Sequence, residues 1–209
     1  MLIDVTAGAA EAAAGMAAAC EHLGCDRIVL ADVGGDVLAS GAEPGLASPL
    51  CDAVMLAAAT HLPAEIEVLG AVFGTGCDGE LTQEEVLARV AALAREEIWS
   101  GTLSPSPDAA REVLAMRDLV PTEASLMAAR SALGELGPAE IRGGRRTVEL
   151  GPVAALVFVF DARAAVGAAA PLAAAVLGAP SIEAGRDRLA EIGIRTELDY
   201  ELDMAARAG

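Results

Sequence analysis

Two short apolar runs, DRIVLADV (26–33) and EIEVLGAVFG (65–74), each pass directly into a loop crowded with glycine and acid. Runs of this length and aliphatic content read as buried strands. Helical stretches alternate with them. SPLCDAVMLAAATHL (48–62) offers Ser48 as an N-cap and Pro49 at the first helical position, and LTQEEVLARVAALAREE (81–97) places Thr82 and Glu85 at capping-box spacing. AAEAAAGMAAACEHLG (9–24) is helix-forming by propensity, so with MLIDV (1–5) as a strand the first 33 residues make a β-α-β unit. Strands separated by helices predict an α/β fold with a mostly parallel sheet covered on both faces.

The second half changes character. SPSPDAA (104–110) reads as a hinge, followed by helical segments at about 107–119 and 121–136 separated by Pro121. AEIRGGRRTVEL (139–150) reads as a hairpin about its Gly-Gly pair, and VAALVFVFD (153–161) as a strand. An Ala-rich helix, a helix from Ser181 to about Ile192 and a tail ordered through Tyr200 and Leu202 follow. This divides the chain into an α/β core over 1–103 and an appended part over 104–209. A chain of 209 residues is long enough to bury roughly 70% of its unfolded surface.

Charge narrows the chemistry. Thirty-one acids against fourteen bases give −17, and every base is arginine. Without lysine, a phosphate-loop ammonium and a Schiff base are both excluded. The field repels nucleic acid and favours cationic partners or ligands. Arginine in place of lysine, with Ala, Gly and Val in excess, points to a G+C-rich coding sequence and an actinobacterial source. No run approaches the roughly 20 apolar residues of a membrane span, and the N-terminus lacks the basic start of a secretory signal, so a cytoplasmic protein is expected. Four cysteines without a CxxC pair and two histidines do not form a zinc pattern.

Ligands of open parallel sheets bind beyond the carboxyl ends of the strands. The loop after 26–33 carries Asp32, Gly34, Gly35, Asp36 and Glu43; the loop after 65–74 carries Gly74, Gly76, Cys77, Asp78, Gly79 and Glu80. Convergence of these loops would gather carboxylates able to ligate a hard cation, to act as acid and base, or to hold a substrate ammonium and take its proton. The same acids could instead complement helix dipoles. Their spacing matches no calcium loop, so neither a resident metal nor another cofactor is expected. Opposite in charge, IRGGRR sets Arg142, Arg145 and Arg146 in one turn, either an anion site or a solvated basic turn. Cys77, among acids, is a poor nucleophile.

At LIDVTAGA, ADVGGDVLASGAEPGLASPLCDA and GTGCDGELTQEE the chain resembles the C-terminal two-thirds of the family known as domain of unknown function 1152. Members of that family open with a strand and a glycine-rich turn before the equivalent of this segment. The resemblance therefore implies a sheet short of its first strands, whose exposed edge needs cover. A second protein subunit is the expected cover. In architecture and composition such a pair is similar to the two-subunit cyclases of azinomycin-type biosynthesis, which close an aziridine by intramolecular displacement of sulfate. On that reading Asp32, Asp36, Asp78 and Glu80 orient and deprotonate the amine of a small amino- and sulfate-bearing substrate. Gly34, Gly35, Glu43, Gly76, Cys77 and Gly79 line its site, and Arg142, Arg145 and Arg146 receive the anion. Two alternatives stand beside it: an Mg²⁺-dependent enzyme acting on a nucleotide or sugar phosphate, and a non-catalytic partner subunit.

Overall fold

The structure, a computed structural model, describes residues 2–120 and 122–208. Helix α1 (Gly8–Leu23) leads into strand β1 (Arg27–Val33), a 3-10 turn at Asp36–Leu38, helix α2 (Pro49–Ala58) and strand β2 (Glu67–Phe73). Helix α3 (Gln83–Arg95) starts at the expected capping box, with Thr82 accepting from the Glu85 amide and Glu85 accepting from the Thr82 amide. Strand β3 (Trp99–Leu103), helices α4 (Pro107–Ala115) and α5 (Glu123–Ala132), and a hairpin of β4 (Gly137–Ile141) and β5 (Arg146–Leu150) come next. Strand β6 (Val157–Asp161) and helices α6 (Ala162–Ala168), α7 (Pro171–Val176), α8 (Ile182–Glu191) and α9 (Glu197–Ala208) complete the chain. Pro121, expected to separate two helices, lies outside the described residues.

The fold is α/β, but its main sheet is mixed. Strand order is β1-β2-β6-β3; β1 and β2 pair in parallel, whereas β6 runs antiparallel to both of its neighbours. The expectation of a mostly parallel sheet therefore fails, for a topological reason. Strands β1, β2 and β3 all point the same way, and the segment from α4 through the hairpin leaves the chain near their carboxyl ends. Strand β6 starts there, Val157 facing Phe73 and Leu103, and can only run back. Periodicity marks a strand without its direction.

Residues 2–5 form no strand, so the first β-α-β unit is absent. The strand Trp99–Leu103 was not legible, because WSGTL lacks an apolar alternation. It is an edge, mostly exposed, with a register shift between Trp99 and Gly101.

One face of the sheet builds the main core. Val68, Val72, Phe158 and Phe160 pack there against α1, α2, α3, α6, α7 and α8. Leu30, Gly70 and Phe160 stand in one cross-strand row. A Cβ on Gly70 would lie 2.2 Å from the tip of the Phe160 ring, so the missing side chain is what lets that ring lie across β2. On the other face β1 is open: Val29 is 53% exposed and Ala31 is also exposed. Cover on both faces is thus not found at β1. A smaller core of Cys77, Met127, Ala128, Ile141, Val148 and Leu150 joins α5 and the hairpin to the loop after β2.

Candidate functional site

Parallel pairing of β1 with β2 brings the two glycine-acid loops together. They are bonded to each other: the Gly34 amide donates to the Phe73 carbonyl at 3.0 Å, and the Gly76 amide to the Gly34 carbonyl at 2.7 Å. Gly34, at φ +132°, gives Asp78 its place, since a Cβ there would sit 2.2 Å from the Asp78 carboxyl carbon.

Five carboxylates gather at this junction. Oxygens of Asp32, Asp36 and Asp52 lie within 4.8 Å of one another, as do those of Asp36, Asp78 and Glu80, so Asp36 belongs to both groups. Either triad has the hard oxygen donors that a divalent cation or an ammonium takes. Sequence reasoning assigned no role to Asp52. It lies in the first turn of α2, and the signal that could have found it is that a helix entered from the first loop must begin near the strand ends.

The five acids are not equivalent. Burial, then the negative charges of Asp52 and Asp78, hold Asp32 well above the carboxylate range, although its Oδ2 accepts from the Gly35 amide at 2.8 Å. Burial and its acidic neighbours hold Asp36 high as well. Burial first, then Glu197, Glu80 and Asp78, lift Asp52 to about 7. Asp78 is lifted to about 6, mainly by burial. Protons shared among Asp32, Asp36, Asp52 and Asp78 are the alternative to a bound cation.

Glu80 is different. Its Oε2 accepts from the amides of Ala47 (2.7 Å) and Ser48 (2.8 Å), and its Oε1 accepts from the Ser48 hydroxyl (2.6 Å) and the Arg142 guanidinium (3.2 Å). Burial works against its charge, but these bonds prevail and hold its pKa low. With both oxygens occupied it ties the two loops together. Glu43 does the same within its own loop, accepting from the Ser40 and Gly41 amides, and belongs to neither triad.

The arginine turn is divided. Arg142 reaches the cluster through Glu80. Arg146 donates to the Gly45 carbonyl at 3.0 Å and to the Gly79 carbonyl, bridging both loops, while Arg145 donates back to Arg142 within its own turn. The Cys77 thiol is buried in the smaller core and pushed up to about 12, first by burial and then by Asp78. Gly76, Gly79 and Glu80 line a separate groove with Gly45, Thr82 and Glu149.

A pocket of 230 Å³ opens beside β1. Leu30, Val37, Met55, Leu56 and Phe160 line it together with Asp32 and Asp52, and an Asp36 oxygen lies within 4.8 Å of theirs. No described helix is long and apolar enough to cross a membrane. No curated protein and no solved structure matches the chain. A family model described as a protein of unknown function (DUF1152) matches residues 1–205, nearly the whole sequence and all three segments of the resemblance, and the chain belongs to that family.

Proposed function

We propose that the protein binds a small organic cation, the amine of a substrate, with its ammonium against Asp32 and Asp52 and its hydrocarbon part against Phe160 and Met55. The observation carrying this reading is that apolar side chains and two carboxylates line one pocket. A bare metal ion makes no use of the apolar walls; an alkylammonium uses both parts. Partly protonated acids suit the next step as well, because binding a cation expels their protons and leaves carboxylates able to accept one from the ammonium.

The narrower reaction is ring closure to an aziridine in a biosynthetic enzyme. An ammonium proton passes to an aspartate, the nitrogen lone pair forms the new C–N bond, and the C–O bond to sulfate breaks, sulfate leaving with the electron pair. Arg142, half exposed at the rim of the cluster, supports the anion side. A second subunit is part of the reading. Its support is the outer edge of β1, which among the described residues has no strand beside it and carries exposed Val29 next to the pocket.

Calorimetric titration with butylammonium at pH 8 tests the binding. Saturable heat is expected, absent with butanol and absent from the Asp32→Asn/Asp52→Asn variant. Silence with butylammonium but saturable binding of Mg²⁺ would hand the site to the metal-dependent alternative. No binding of either would leave a non-catalytic subunit.

A further inference from the structure

Helix α2 begins in an unusual way. Pro49 occupies its first position as the sequence implies, yet Ser48 makes no side-chain cap, because Glu80 takes its hydroxyl. The free amides of the first turn are taken from far along the chain. Leu50 and Cys51 donate to the two carboxylate oxygens of Glu197 at 3.0 and 2.8 Å. Glu197 is itself held in place, since it follows the fully buried Thr196, whose amide and hydroxyl both donate to Asp199 at 2.9 Å.

We infer that Glu197 is a positioning residue for the acidic pocket: by capping α2 from the C-terminal helix, it leaves Asp52 free to face Asp32 and Asp36 and to bind a cation. Two carboxylates compete for the start of α2. A helix N-terminus carries partial positive charge and unpaired donors, and the nearest carboxylate tends to satisfy them. Asp52 lies one residue beyond Cys51 and would serve. With the carboxylate of Glu197 already there, the dipole is compensated and the negative field of the aspartates stays available for a ligand. Burial of Asp52 and the charge of Glu197 together raise its proton affinity, in keeping with this geometry.

The inference rests on the amine-pocket reading, and its test separates the two. Glu197→Gln removes the charge and keeps one acceptor oxygen, its NH₂ facing the second of the two amides. Butylammonium affinity is expected to fall roughly 3- to 10-fold in this variant, with a lower melting temperature, and Glu197→Asp, which keeps the charge and both acceptor oxygens, is expected to recover part of each loss. In Glu197→Ala the Leu50 and Cys51 amides are expected to exchange with solvent faster than in the wild type. Equal affinity in wild type and Glu197→Gln, or unchanged exchange in Glu197→Ala, overturns the assignment. Absence of wild-type binding rejects the pocket reading alone, and the amide exchange then decides the role of Glu197 by itself.

Discussion

At the scale of single residues, what separates the acids is how many donors each has. Glu80 has four, whereas Asp36 lies among other carboxylates in both groups, so the same type of substitution has opposite effects at the two positions. Glu80→Gln turns an amide NH₂ toward donors that need an acceptor and is expected to cost about 2–4 kcal/mol in denaturant unfolding. Asp36→Asn removes a group that is hard to ionise and is expected to raise the melting temperature at pH 8 while weakening butylammonium binding. Ionisation of Asp52 on binding has a further signature. Because its pKa is lifted to about 7 in the free protein, capture of a cation near neutral pH releases protons. Calorimetry in two buffers of different ionisation enthalpy is expected to give different apparent heats.

Among the elements, the sheet row Leu30–Gly70–Phe160 shapes the pocket. Gly70→Ala places a methyl group where the Phe160 ring lies, and overpacking of this kind is expected to cost about 1–3 kcal/mol and to weaken ligand binding. What was legible at this scale follows from local chemistry. The capping box of α3, Pro49 at the start of α2, the Gly-Gly hairpin and the acidic loops after β1 and β2 are all short-range signals, and all are present. What was not legible is long-range. The reversed direction of β6, the Glu197 cap on α2 and the arrival of Asp52 beside Asp32 depend on tertiary packing, and no spacing in the sequence encodes them. Ser48 shows the conflict directly: its position is that of a cap, but a buried carboxylate from another loop takes its hydroxyl.

For the whole molecule, buried acids and a net charge of −17 act in the same direction. Asp52 and Asp78 hold protons more tightly in the folded state, with pKa values of about 7 and about 6 against 3.8. The folded chain therefore binds more protons than the unfolded one between about pH 4 and those values, and stability declines as pH rises through that window, by up to about 1.4 kcal/mol per pH unit for each group. A melting temperature higher at pH 5 than at pH 8 is expected, with butylammonium restoring part of the loss at pH 8. The open edge and face of β1 bear on assembly: a stable, cooperatively melting monomer of this chain alone would exclude the paired-subunit reading.

Methionine methyl NMR addresses the pocket most directly, since Met55 lines its wall and Met16 lines a different, apolar pocket beside α1. Titration with butylammonium at pH 8 is expected to shift the Met55 methyl saturably, to leave Met16 in place, and to lose its effect in Asp32→Asn/Asp52→Asn. A Met55 signal that stays fixed, or one that moves equally in the variant, would contradict an acid-lined pocket that holds an amine.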